Sequence, residues 1–154
     1  MRTISEWLDE YGESHRHPVN KLVHWICVPL IVFSLLGLIW SLPLPEYRAG
    51  VITLNLCVLF MLASLVYYLV LSWRLAIGML VCVTLVYFLL FWLDSNVNRP
   101  WLIYIAVFVV AWIGQFAGHE IEGKRPAFFR DIQFLLIGPL WLLSAVYRKL
   151  NLQY

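Results

Sequence analysis

Residues 15–42 read HRHPVNKLVHWICVPLIVFSLLGLIWSL and change from polar to apolar at position 22. A helix needs about twenty mostly apolar residues to cross a bilayer, and residues 22–42 provide that length. Pro18 is suited to the first turn of a helix, where its missing N–H would have no partner in any case. The stretch therefore predicts a membrane-spanning helix with a polar, histidine-rich entrance.

The composition extends this prediction to the whole chain. Of the 154 residues, 62% are apolar and 13% are charged, whereas soluble domains are nearer half apolar and a quarter charged. We predict an all-α, polytopic membrane helical bundle that forms a single domain over residues 1–154. The four predicted spans cover residues 22–42, 50–71, 75–93 and 101–118.

A fifth apolar segment covers residues 132–147 and is interrupted by Gly138 and Pro139. Proline inside a helix removes a hydrogen bond and kinks or breaks it. The sequence leaves three alternatives open for this segment: a kinked span, a re-entrant segment or an interfacial helix.

Lysine and arginine are distributed unequally between the predicted loops. With the N-terminus in the cytoplasm, seven lie on the inside and two on the outside, which is the bias that membrane proteins show. Arg148 and Lys149 join the inner set if the fifth apolar segment does not cross the membrane. The inner set is Arg2, Arg16, Lys21, Arg74, Lys124, Arg125 and Arg130, and the outer set is Arg48 and Arg99. The polar N-terminal residues predict no cleavable signal peptide. A net charge of +2 is too small to indicate a nucleic-acid partner.

The four histidines form two groups, His15, His17 and His24 before and within the first span, and His119 at the end of the fourth. An even number of spans separates the groups, so both are predicted at the same membrane face. The cysteines Cys27, Cys57 and Cys82 have no metal-ligand spacing and are read as small buried hydrophobes.

Helical spacing aligns further polar side chains with these histidines. Asn20 and His24 are four residues apart, and Gln115, His119 and Glu122 follow at intervals of four and three, each set on one helix face. Ionisable groups at membrane depth tend to face the protein interior and to mark function. The pattern predicts a shared metal site. Imidazole and carboxylate without thiolate suit Fe(II) or Zn(II). The alternative is that the histidines are interfacial or solvated residues that bind no metal.

Three motifs in this order resemble the 2-hydroxy fatty acid dioxygenase family over essentially the whole chain. The first is H-x-x-P-x-N-x-x-x-H, formed by His15, Pro18, Asn20 and His24. The second is QFAGHEIEGKRPAFF at residues 115–129, and the third is QFLLIGPLWLLSAVYRKL at residues 133–150.

The resemblance implies an iron(II)-dependent membrane enzyme that uses O2 to shorten 2-hydroxy fatty acids by one carbon. It carries the ligand and catalytic roles to His15, His24 and His119, with Glu122 or His17 as a further ligand. Asn20 and Gln115 would orient the ligands.

If the resemblance holds, basic residues at the membrane interface would attract the carboxylate of a fatty acid or 2-hydroxy fatty acid. The same residues also suit the head groups of anionic membrane lipid. These residues are Lys124, Arg125 and Arg130. Compact loops indicate a bacterial member, in the inner membrane, with the N-terminus and metal site on the cytoplasmic side.

Other classes stay open on the sequence. A zinc-dependent membrane hydrolase would use the same ligands, and a bis-histidine haem protein or a non-enzymatic scaffold or lipid-binding protein is compatible with the composition. Membrane desaturases and hydroxylases carry more histidines than the four present here. A homo-oligomer is also left open.

Overall fold

The computed structural model describes residues 2–127 and 133–154, which form six α-helices and one short β-hairpin. The helices are α1 (Ile4–Gly12), α2 (Pro18–Trp40), α3 (Leu56–Leu71), α4 (Trp73–Asn96), α5 (Trp101–Glu122) and α6 (Phe134–Lys149). The hairpin joins β1 (Tyr47–Ala49) to β2 (Ile52–Leu54) between α2 and α3.

Three of the described helices, α2, α4 and α5, are long and apolar enough to cross a membrane, which is consistent with a membrane protein. They correspond to the first, third and fourth predicted spans. The second predicted span, residues 50–71, is not confirmed as such. The helix α3 has 16 residues, or a length of about 24 Å, which is less than the ~30 Å hydrocarbon core.

The β-hairpin is the reason for the shorter helix. Gly50 has a φ of 59°, and Ala49 pairs with Ile52 across a two-residue loop. Glycine at the first position of such a loop is typical of the turns that suit hairpins. The prediction from hydropathy assigned the β-branched residues after Gly50 to a helix, although β-branched side chains favour strands.

The fifth apolar segment is a helix that continues through Pro139. Of its predicted range, residue 132 lies outside the described residues. The helix α6 is largely buried, and it packs against α1, α2 and α4. Gly138 permits close approach to α1, because a Cβ there would lie 3.0 Å from the Tyr11 hydroxyl oxygen.

The helix α1 was not predicted from the sequence. Thr3 and Glu6 form a capping box at its start, which satisfies backbone N–H groups that would otherwise lack partners. Its apolar face buries Trp7, Leu8 and Tyr11 in the cluster that contains α6. This packing holds α1 against α6.

The helices α2 and α5 approach closely through Gly114 and Gly118. A Cβ at Gly114 would lie 2.8 Å from the sulfur of Cys27, and one at Gly118 would lie 2.6 Å from Asn20 Oδ1. Small residues four apart permit this kind of contact between membrane helices. Cys27 and Cys57 are buried as predicted, whereas Cys82 is exposed on α4.

Candidate metal centre

His15, His24 and His119 come together at one end of the bundle. One potential ligand atom from each lies within 4.8 Å of the others, and the three side chains are buried. His15 lies between α1 and α2, His24 in the second turn of α2, and His119 in the last turn of α5. The centre therefore depends on the packing of α1, α2 and α5 around one point.

Backbone carbonyls hold both N-terminal histidines of this cluster. His15 Nδ1 lies 2.5 Å from the carbonyl oxygen of Tyr11, and His24 Nδ1 lies 2.9 Å from that of Asn20. A carbonyl oxygen only accepts, so Nδ1 carries the hydrogen in both rings. This is the arrangement found for ligating histidines, whose second nitrogen is held by a neighbour.

The remaining nitrogens of these two rings point at each other. His15 Nε2 and His24 Nε2 are 2.7 Å apart, and the Gln115 side-chain nitrogen also contacts His24 Nε2. With hydrogen on Nδ1 in both rings, two lone pairs face each other across this gap. A cation bound between the two nitrogens would make such an approach favourable.

His119 adds an unsatisfied atom to the cluster. Its Nδ1 is buried and has no hydrogen-bond partner among the described residues. A buried polar atom without a partner is unfavourable by about 1–3 kcal/mol. A metal ion bound by three imidazoles would give His119 a partner and would accept the lone pairs of His15 and His24. The donor set therefore fits a metal.

Glu122 and His17 do not belong to this group of potential ligands. The Glu122 carboxylate accepts hydrogen bonds from the backbone N–H groups of Arg16 and His17, at 2.9 and 2.8 Å, and from Asn20 Nδ2 at 3.1 Å. His17 is the N-cap of α2, and its Nδ1 accepts from the N–H of Val19. Glu122 therefore ties the end of α5 to the start of α2.

Replacing Glu122 by alanine is expected to lower the free energy of unfolding by about 2 kcal/mol and to weaken metal binding roughly tenfold or more. The change leaves the buried Asn20 amide without one acceptor and releases the segment that carries His15. Chemical unfolding and chelator competition would measure the two effects.

Glu120→Ala is the matched control, because this glutamate lies on the same helix and is exposed. We expect a change within about 0.5 kcal/mol for it. Metal loss in Glu122→Ala at unchanged stability would instead make Glu122 a direct ligand.

Acid is expected to destabilise the metal-free protein through His15. Burial lowers the pKa of His15 from 6.5 to about 4, and the hydrogen bond to the Tyr11 carbonyl opposes this only in part. Since the folded-state pKa is the lower one, the unfolded state takes up the proton first as the pH falls. The contribution of neutral His15 is complete above pH 6.5 and is lost between 6.5 and about 4.

Thermal unfolding of chelator-treated protein across this pH range would measure the effect. His15→Gln is expected to weaken the pH dependence, whereas exposed His17→Ala should preserve it. An unfolding midpoint that does not change with pH in the parent protein would contradict the prediction.

The basic residues predicted to meet the substrate lie beside His119. Lys124 Nζ donates to the carbonyl of Glu13 at 2.8 Å, and Arg125 is exposed. Both line a polar cleft that also reaches His119. Arg130 lies outside the described residues.

A second cavity meets His119 from the bundle interior. It is narrow, about 40 Å³, and its walls include Tyr11, Val28, Gln115 and Gly138. Because His119 lines both spaces, the histidine cluster lies where a polar cleft and an apolar cavity meet. This arrangement suits a ligand with a charged head and an apolar tail.

Sequence reasoning missed Tyr11. Its carbonyl holds His15, and its ring stacks on the His15 ring with centroids 4.2 Å apart. The signal that was available is the apolar spacing of Trp7, Leu8 and Tyr11, which is typical of an amphipathic helix. Asn20 was predicted to orient ligands, and the atom that contacts His24 is its backbone oxygen.

The apolar helices are consistent with an α-helical membrane protein, and the buried three-histidine cluster gives it a candidate metal centre. The family model described as 2-hydroxy-palmitic acid dioxygenase Mpo1-like matches residues 1–150. The chain belongs to this Mpo1-like family.

One relative is the 2-hydroxy-palmitic acid dioxygenase MPO1 of Saccharomyces cerevisiae. It is 31% identical over 143 residues, which cover 92% of this chain and 78% of the relative. No solved structure matches the chain.

Proposed function

We propose that this protein is an iron(II)-dependent dioxygenase that shortens 2-hydroxy fatty acids by one carbon. Membership of the Mpo1-like family and the similarity to a 2-hydroxy-palmitic acid dioxygenase support the dioxygenase role. The observation that carries the metal dependence is the buried cluster of His15, His24 and His119.

Iron(II) suits this donor set, which has imidazole nitrogens and no thiolate. His15, His24 and His119 would hold the ion, and bound iron(II) would supply the centre at which O2 is activated. The carbonyls of Tyr11 and Asn20 keep the first two rings in the tautomer whose Nε2 is free to ligate. Gln115 contacts the ligating nitrogen of His24 and not its Nδ1, so the Gln115 amide would turn away from this atom when the ion binds.

The substrate's two ends would occupy the two spaces beside His119. Lys124 and Arg125 attract the carboxylate at the polar cleft, and the apolar cavity receives the first carbons of the chain. The reacting C1–C2 bond then lies next to the cluster. Orientation by both ends lowers the entropic barrier to reaction.

The proposed reaction balances with O2 as the only oxidant. The C1–C2 bond breaks, C2 becomes the carboxyl carbon of the shorter acid, and C1 leaves as carbon dioxide. The electrons released by both carbons reduce one O2, whose oxygen atoms appear in the products together with one water. No external reductant is required.

We further propose that the protein lies in the bacterial inner membrane with its metal centre on the cytoplasmic side. The excess of lysine and arginine in the segments near the centre supports this orientation. A fatty acid in the inner leaflet would then reach the cleft without leaving the membrane.

Metal analysis combined with a product assay tests the function. The anaerobically purified protein is expected to contain about one iron per chain, and to convert 2-hydroxypalmitate with O2 into the acid one carbon shorter. Omission of O2 and chelation of iron should each abolish product, which mass spectrometry would detect.

Two outcomes would overturn the proposal. Zinc in place of iron would favour a membrane hydrolase, for which a site of three histidines is also suited. Absence of any metal, with the substrate unchanged, would favour a lipid-binding protein without enzymatic activity.

A further inference from the structure

We infer that the acyl chain of the substrate lies in one continuous apolar groove, which runs from the histidine cluster along α2 and α6 to α3 and α4. The inference deepens the proposed function and rests on it for the identity of the ligand. It adds the location of the chain and the residues that limit its length.

Two cavities form this groove. The narrow one beside His119 is walled by α2 and α6 through Val28, Ile31 and Phe134, among others. The second measures about 320 Å³ and reaches Phe60 and Met61 on α3 and Met79 on α4. The first space begins at the metal centre, and the second, called the deeper cavity, lies farther along α2 and borders α3 and α4.

Val32 and Leu135 line both cavities. Val32 lies on α2 and Leu135 on α6, so the two spaces meet at a junction between these helices. A ligand that extends from His119 along the first cavity therefore reaches the second at this pair. The junction is also the place where an enlarged side chain would stop it.

The walls of the deeper cavity are suited to a hydrocarbon chain. The hydroxyl of Ser64 donates to the carbonyl of Phe60 at 2.9 Å, and that of Tyr68 donates to the carbonyl of Leu136 at 3.1 Å. These polar groups are satisfied by the protein itself, and most other lining side chains are apolar. Contact with these walls removes methylene groups from water, which is favourable.

The length of the groove matches a long-chain acid. From His24 to Leu36, which lines the deeper cavity, α2 rises by roughly 18 Å. This is close to the extended length of a palmitate chain. Leu35 and Phe60 are partly exposed on the cavity wall, so the groove opens laterally towards lipid.

Photo-crosslinking locates the chain without depending on turnover. The probe is 2-hydroxypalmitate with a diazirine at its last carbons, bound to the full-length protein in detergent. We expect labelled peptides from α3 and α4 that include Met61 or Met79, and we expect unlabelled 2-hydroxypalmitate to compete. Labelling confined to other helices would overturn the inference.

A junction variant provides the second measurement. Val32→Trp is expected to lower labelling of α3 and α4, and kcat/KM for 2-hydroxypalmitate, by about tenfold or more, and to lower kcat/KM for 2-hydroxyoctanoate by a smaller factor, because fewer carbons of the short chain reach the junction. Leu30→Trp is the matched control, because Leu30 lies on the same helix, is exposed and lines neither cavity.

The results separate this inference from the proposed function. The groove would be overturned if Val32→Trp lowered kcat/KM equally for both substrates. It would also be overturned if the wild-type protein converted 2-hydroxypalmitate without label on α3 or α4. Either result would leave the proposed dioxygenase function intact. Label on α3 and α4 without turnover would support the groove and contradict the dioxygenase.

Discussion

Replacement of His24 by alanine is expected to remove the bound metal and to lower dioxygenase activity by more than roughly a hundredfold. His24 is fully buried, and its Nε2 faces His15 Nε2 at 2.7 Å. Loss of this imidazole removes one of three converging donors and leaves the other two with a weaker site. Elemental analysis of the purified variant, together with the product assay, would measure both effects.

His17→Ala is the matched control for this variant. His17 is a histidine of the same sequence cluster, but it caps α2 and is exposed. We expect it to retain metal and activity, with stability lower by about 1 kcal/mol because a helix cap is lost. Metal retained in His24→Ala, or lost in His17→Ala, would show that the wrong histidines have been assigned.

The fold of His24→Ala needs a separate check, since truncation of a buried side chain destabilises the protein. His24→Gln keeps more of the side-chain volume and is expected to insert and retain helical circular dichroism. If this variant is folded and still binds one metal per chain with wild-type affinity, His24 is not a ligand.

Replacement of Gly118 by leucine is expected to lower the free energy of unfolding by roughly 3 kcal/mol and to dismantle the metal centre. A Cβ at this position would lie 2.6 Å from Asn20 Oδ1 and 3.0 Å from a methyl carbon of Val23. The Asn20 side chain has little room to move, because Ser14 and Glu122 hold it by hydrogen bonds. The helix α5 must therefore move away from α2.

Helix propensity and overpacking change the free energy of unfolding of this variant in opposite directions. Leucine is favoured over glycine in a helix by about 1 kcal/mol, which is smaller than the expected loss from overpacking. Displacement of α5 also separates His119 and Gln115 from His24. Errors of about 1 Å in such a site lower activity by around a hundredfold.

Ala117→Leu is the matched control, since Ala117 is the adjacent residue on α5 and is exposed. It adds a side chain of the same kind on the outer surface of the bundle, and we expect wild-type stability and metal content. Unfolding in detergent and elemental analysis would compare the two variants. Equal stability and equal metal content in the two variants would mean that the close approach of α2 and α5 does not support the metal centre.

The sequence predicted those parts of the fold that depend on local composition. The helices α2, α4 and α5 agree with predicted spans because long apolar runs and their polar ends identify membrane helices directly. The second span was overestimated, because hydropathy does not distinguish the strand after Gly50 from a helix. The helix α1 was missed, since an amphipathic helix of nine residues has little signal in a hydropathy profile.

The residues predicted for the site also divide into those that the structure brings together and one that it places elsewhere. Helical spacing and the family resemblance identified His15, His24 and His119, which the structure brings together. They also proposed Glu122, because His119 and Glu122 are three residues apart on one face. In the fold that carboxylate meets backbone N–H groups at the start of α2, whose free amides attract an anion.

The sequence by itself determined the class of protein, the main helices and the side chains able to bind a metal, because these follow from composition and from spacing within one helix. Tertiary structure decided that Glu122 and His17 stay outside the cluster and which nitrogen each ring presents. These features depend on how closely helices approach, and here Gly114, Gly118 and the packing of Tyr11 set that distance. Contacts between residues about a hundred positions apart are properties of the packed bundle, and no local pattern encodes them.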